Sequence, residues 1–297
     1  MLTDLADQPG TLWVDGSFAP WTEAKLHVLS HSLHFAGSVF EGIRVYGGRA
    51  FALHQHLERL AASAEMLGYR LPWTVEMLEE TCHALLARQE LAEGYIRPIA
   101  WRGSQSVSVP AAGCRVHVAI AAFPWPSYYG EEQRRRGLRL AVARWKRPSP
   151  ETAPTASKTA GLYTIATMAR DEANAAGFDD ALMLDWRGLL AEATGANLFL
   201  VIDGSLHTPL PDCFLDGITR RTVIGLARAR GLEVVERHMA PGELDRAQGA
   251  FLTGTAVEIM PVAAIGEREL DPAHRLIRML AADYAALVRG EDPAPTP

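Results

Sequence analysis

Two glycine-centred turns in the first fifty residues constrain the fold most. Asp15-Gly16 follows the apolar run Leu12-Trp13-Val14, and Gly47-Gly48 separates residues 39–46 from 50–53. Such pairs supply the positive φ that tight hairpins need, so each predicts two antiparallel strands. The period then changes. Leu57, Leu60, Ala61, Ala64 and Leu67 recur at helical spacing within residues 54–67, and Gly68 is placed to end that helix. A second helix is predicted over 74–91, where Leu78, Cys82 and Leu85 share a stripe that assigns Cys82 to the core. Strand-like runs at 95–101 and 115–123 follow. Strands and helices mixed in this way predict an α/β (α+β) organisation.

At 297 residues the chain exceeds the usual single domain. The stretch from Pro124 to Gly130 (PWPSYYG) is rich in turn formers and aromatics, and predicts a linker over 124–133 between a small domain, 1–123, and a larger one, 134–297. The larger part reads as a strand at 138–145, an irregular stretch at 147–154 and a helix over 161–176. Strands follow at 181–184, 189–193 and 198–202, then helices at 218–230 and 272–288, and a Pro-rich tail expected to be disordered from about 290. Apolar residues make up 48% and charged residues 22%, as in soluble globular proteins. A net charge of −6 speaks against nucleic acid as a partner, and no run approaches the ~20 apolar residues of a membrane span. The first ten residues carry no secretory signal, and the three cysteines form no CxxC pair, so a reducing cytoplasm is expected.

Lys25, Lys146 and Lys158 are the lysines of the chain, and the last sits among small residues in Pro154–Tyr163 (PTASKTAGLY). That room suits an amine which must reach a ligand, and a desolvated amine is a nucleophile toward an aldehyde. The plainer reading is a surface lysine in a loop. Arg59 lies about 200° around its helix from Leu57, facing solvent or a site where a fork donor would suit phosphate. Asp216-Gly217-Ile218-Thr219 opens a helix whose free N–H groups attract anions, and Thr253-Gly254-Thr255-Ala256 offers hydroxyls and exposed backbone. Glu192 lies in a strand apolar on both faces. It requires a partner, either an internal arginine or the protonated nitrogen of a pyridine ring. His27, His31 and His34, or His54 and His56, lack the cysteines or carboxylates that would complete a metal site, so no metal is expected. No GxSxG, GxGxxG or Walker lysine is present.

Together these segments resemble the fold-type IV pyridoxal-phosphate enzymes, and specifically the branched-chain aminotransferases. The likeness runs nearly end to end, through HSLHFAGSVFEGIR (31–44), HLERL (56–60), YIRP (95–98), AAFPW (121–125) and PTASKTAGLY (154–163). It continues through EATGANLF (192–199), GITR (217–220) and TGTA (253–256).

The resemblance implies that Lys158 carries pyridoxal 5'-phosphate as a Schiff base, that Glu192 keeps the ring nitrogen protonated and that Tyr163 binds the 3' oxygen. Arg59, Ile218, Thr219 and Thr255 would hold the phosphate. Phe35, Phe40, Tyr95, Trp125 and Tyr128 would surround the substrate with Thr255 and Ala256, and Arg97 would take the side-chain carboxylate of glutamate. An L-amino acid of branched-chain or similar apolar type and 2-oxoglutarate are the implied partners, in a homodimer or a dimer of dimers. Departures bear on the substrate: Phe35 stands where tyrosine is frequent, Leu162 where asparagine is, Ala196 where glutamate is, and residues 103–113 lack a glycine-rich loop. They leave room for an unusual amino or keto acid as substrate. D-amino acid transaminase and aminodeoxychorismate lyase are the other readings within the fold, opposed by Arg97 and the run from Phe40 to Arg44.

Overall fold

In the computed structural model, which describes residues 5–125 and 128–291, the strands of the first half all pair antiparallel. They are β1 (Thr11–Val14), β2 (Ser17–Pro20), β3 (Val39–Phe40), β4 (Ile43–Tyr46), β5 (Arg49–Ala50), β6 (Gly94–Arg102) and β7 (Val116–Phe123). Their order is β2-β1-β7-β6-β4-β5, with β3 also on β6. Alternation gives the sheet one apolar face: Val118, Ile120 and Ala122 of β7 all point inward. After the short α1 (His31–Phe35), helices α2 (Leu53–Met66) and α3 (Val75–Gln89) cover that face with Leu57, Leu60, Leu78, Cys82 and Leu85, all fully buried. Thr74 caps α3 by accepting the Met77 N–H at 3.3 Å.

The expected strand over 39–46 is broken. β3 and β4 keep one register on β6, Phe40 opposite Ile99 and Ile43 opposite Ile96, so Glu41 falls opposite Pro98, which has no N–H to give. The strand expected over 50–53 ends at Ala50, because Ala52 turns left-handed (φ 53°) into α2. Residues 5–125 form one compact unit together with Ser157–Gly161, and the other described residues form a second. Residues 157–161, read from sequence as part of the larger domain, thus belong with the first. Of the expected linker, Pro126 and Ser127 lie outside the described residues, and part of the rest is α4 (Glu131–Arg136). Most of the expected tail, 292–297, is likewise outside them.

The second unit is built on β8 (Leu138–Val142), β9 (Asp180–Leu184), β10 (Leu190–Ala193), β11 (Asn197–Ile202), β12 (Ser205–Pro209), β13 (Val234–Arg237), β14 (Gly249–Gly254), β15 (Glu258–Ile265) and β16 (Arg268–Glu269). The sheet runs β10-β9-β8-β15-β14-β11-β12-β13, and β10 also pairs with β11, closing six strands into a ring. Leu138, Leu182, Leu198, Leu200, Leu252, Met260 and Val262 are among its core residues. Helix α5 (Tyr163–Ala175) packs Ala169 and Ala173 against Ala181 of β9, and α6 (Ile218–Ala229) and α7 (Arg275–Arg289) complete the unit. Among the described residues no helix is long and apolar enough to cross a membrane. All three cysteines are free, and burial pushes the Cys82 thiol up to about 12, which removes it from nucleophilic chemistry.

Candidate active site

Lys158 is held by its main chain on both sides. Its N–H donates to Ser63 Oγ of α2 at 3.0 Å, and its carbonyl accepts the Phe40 N–H of β3 at 3.2 Å. Ser157 Oγ donates to the Ser63 carbonyl at 3.0 Å, while Val39 and Thr159 form an antiparallel bridge. The segment therefore acts as an extra piece of strand beside β3. Lys158 Nζ stands 5.1 Å from the centre of the Phe40 ring, and the Arg97 guanidinium carbon stands 5.0 Å from it. Arg97 also lies 5.3 Å from the Tyr95 ring, which packs on Trp125 at 5.9 Å. Five residues singled out in the sequence thus come together in this unit. Gly42 is needed for that arrangement, since a Cβ there would lie 1.8 Å from the Tyr95 hydroxyl oxygen.

Arg59 turns away from solvent onto a buried carboxylate. Its Nε and Nη2 donate to the two oxygens of Glu41 at 2.6 and 2.9 Å, and His56 Nδ1 donates to Glu41 Oε2 at 2.7 Å. Glu41 and His56 are buried and Arg59 is half-buried. The carboxylate acceptor fixes the proton on Nδ1 of His56. Phe35, at the end of α1, is 41% exposed and packs on His31 with ring centres 4.6 Å apart.

In the second unit Glu192, only 8% exposed, meets both an internal arginine and an amide: Arg147 Nε lies 3.4 Å from Oε1 and Asn197 Nδ2 donates to Oε2 at 3.1 Å. Ile218 and Thr219 are the first residues of α6, whose opening turn leaves N–H groups without helical acceptors. That turn is braced by Arg220, which is fully buried and donates to Asp216, Glu236, Thr208 and the Pro209 carbonyl. Thr255, half-buried, lies between β14 and β15, and Thr253 Oγ1 before it is buried with no hydrogen-bond partner among the described residues. Tyr163, the first residue of α5, lines a cavity of about 280 Å³ with Tyr128, Ala196, Ala256 and Arg170 among others.

Sequence reasoning missed the residues that hold these groups. Ser63 carried a signal: it is a polar residue three positions after Leu60 on a buried helical stripe. Glu41 carried one as well, being a carboxylate between apolar strand runs. Asn197 and Arg220 had none beyond their place in the family-like segments.

The family model for class IV aminotransferases matches residues 38–265. A probable branched-chain-amino-acid aminotransferase of Rickettsia bellii is 38% identical over 283 residues, covering 94% of this chain and 96% of the relative. The crystal structure of the T.th. branched-chain amino acid aminotransferase with pyridoxamine 5'-phosphate superposes with a TM-score of 0.92 at 38% identity, covering 96% of each chain. The same enzyme complexed with N-(5'-phosphopyridoxyl)-L-glutamate gives 0.91 at 36% identity, again over 96% of each. The chain belongs to the class IV aminotransferases and, within them, to the branched-chain-amino-acid aminotransferases.

Proposed function

We propose that this chain catalyses pyridoxal-phosphate-dependent transamination between a branched-chain or similar apolar L-amino acid and 2-oxoglutarate, with Lys158 as the amine that binds the cofactor. The observation that carries this is the anchoring of Lys158, whose main chain is fixed at N–H and carbonyl while Nζ sits by the Phe40 ring near Arg97. The donor set suits the cofactor: an anchored amine, a buried carboxylate at Glu192 for the ring nitrogen, and the first turn of a 12-residue helix for a phosphate. The orphaned hydroxyl of Thr253 is a further polar group ready for a ligand.

The bound cofactor supplies an electron sink for the substrate's α carbon. With the cofactor bound, the Lys158 amine would carry the proton between the substrate's α carbon and the cofactor within each half-reaction, in opposite directions in the two halves. Glu192 would hold a proton on the ring nitrogen, and Tyr163 would give a hydrogen bond to the 3' oxygen. Arg59, the N–H groups of Ile218 and Thr219, and the Thr255 hydroxyl would hold the phosphate. Phe40, Tyr95 and Trp125, with Phe35, would receive an apolar side chain. Arg97 binds the distal carboxylate of glutamate or 2-oxoglutarate, in line with the glutamate adduct of the T.th. relative.

The cavity beside Tyr128 and Ala256, with alanine at 196, favours a second reading in which a larger or less common amino acid is the natural donor. One experiment addresses both. Borohydride reduction of the holoprotein and peptide mapping should tag Lys158, and a panel of amino acids should then convert the cofactor, monitored by absorbance. A tag elsewhere removes the lysine assignment; conversion by large amino acids but not by leucine, isoleucine or valine selects the second reading. A homodimer is part of the proposal, supported by the exposed apolar side chains Leu26, Val28, Leu33, Val107 and Val109. The free thiols suit a reducing compartment such as the cytoplasm.

A further inference from the structure

Glu192 and Asn197 face each other across the β10–β11 hairpin. The Asn197 amide donates to Glu192 Oε2 at 3.1 Å and to the Leu215 carbonyl at 3.0 Å, so its two N–H groups go to two different segments. Leu215 lies in the loop that leads through Gly217 into α6. On the other side of the same amide, Asn197 Oδ1 abuts Gly217, where a Cβ would stand 2.2 Å away. Gly217 has φ −62°, which any residue adopts, so the glycine is demanded by space and not by backbone conformation. Both acceptors are oxygens. An aspartate would match the shape of Asn197 but set oxygen against oxygen at both contacts.

Resting on the function proposed above, we infer that Asn197 is a positioning residue which couples the two ends of the cofactor site. It fixes the carboxylate that serves the ring nitrogen, and through Leu215 and Gly217 it fixes the helix start that serves the phosphate. A shift at one end is passed to the other through a single buried amide.

The test uses Asn197→Asp, Asn197→Ala and Gly217→Ala, the last leaving the amide in place and pushing only on Oδ1. Four quantities are measured. They are the Kd of the apoprotein for pyridoxal phosphate, its Kd for pyridoxal, the rise in its thermal midpoint with orthophosphate, and the pH titration of the visible band of the holoprotein. Each variant should bind pyridoxal phosphate roughly 10- to 100-fold more weakly. Pyridoxal should also bind more weakly, the orthophosphate effect should shrink, and the band should titrate at a different pH. Aspartate should be worse than alanine despite its better fit. A role in packing alone gives the opposite order, with an unchanged band titration and orthophosphate response, and that outcome overturns the inference. Should neither Asn197 variant fold, an unaltered Gly217→Ala protein overturns it equally. A wild-type protein that binds no pyridoxal phosphate would instead overturn the proposed function itself, and this inference with it.

Discussion

Burial alone would push the Glu41 carboxyl up, but hydrogen bonds from His56 and Arg59, together with the Arg59 and His56 charges, outweigh it and bring the group to about 2. For His56 burial is the largest effect and lowers its pKa; Arg59 and Lys158 act in the same direction, against Glu41. The two shifts have the same consequence for stability. Glu41, below its ordinary 4.5 in the folded state, contributes stability that is complete above 4.5 and is lost as the pH falls toward 2. His56, below its ordinary 6.5, lets the unfolded chain bind a proton that the folded one refuses, so stability falls as the pH drops under 6.5. The urea midpoint should therefore decline between about pH 7 and pH 5 and continue downward, and His56→Asn should flatten the upper part of that decline. A wild-type midpoint constant across this range would contradict the assignment. Gly42→Ala makes a separate prediction. Its Cβ must displace the Tyr95 ring, so kcat/KM for leucine should drop at least roughly tenfold while the Kd for pyridoxal phosphate stays within about twofold. Lys158 stood out because lysines are scarce and its neighbours are small, but only the likeness to the aminotransferases raised it above a surface lysine in a loop. Ser63 and Glu41 showed only that they were polar residues in apolar surroundings, and Asn197 not even that, because what they do depends on partners brought close by folding, such as Ser63 with Lys158.

Helical periodicity made α2, α3, α5, α6 and α7 legible to within about three residues, since each buries an apolar stripe that repeats every 3.6 residues. The break between β3 and β4 was not legible. It depends on which residue of β6 stands opposite, and cross-strand register is not written locally. At this scale two substitutions are informative. Thr74→Ala removes the acceptor for the Met77 N–H and should cost about 1 kcal/mol in urea unfolding, with activity per folded molecule unchanged. Ser63→Ala leaves the Lys158 N–H without its acceptor, which should cost about 1 to 3 kcal/mol. It should also lower kcat, because the main chain carrying the amine loses its attachment to α2; normal kcat with lowered stability would mean that the Phe40 contact suffices.

For the whole molecule, α1 and the loop over 103–113 are joined: the His31 N–H donates to the Gly103 carbonyl at 2.9 Å, and His31 Nε2 lies 3.2 Å from the Val109 carbonyl. Around that junction Val28, Leu33, Val107 and Val109 are exposed, Val109 at 76%. Light scattering should give a multiple of the 32.4-kDa chain mass, and Leu33→Asp with Val109→Asp should shift it toward one chain. A wild-type protein of single-chain mass would remove the dimer from the proposal. This surface was illegible in the sequence, because an apolar side chain in a loop carries no period that says whether it faces a core or a second chain.

The return of Ser157–Gly161 to the first unit bears on how the protein can be made. A nascent chain that has emerged only as far as Pro126 lacks the piece that bridges Val39, and Ser63 has no partner for its hydroxyl. Translation must pass through the opening strand of the second unit before the first can finish folding. A proteolytic nick or gene split at the first crossing between the units therefore yields an N-terminal fragment without Lys158, and only a cut after Gly161, which carries the opening strand of the second unit along, keeps it.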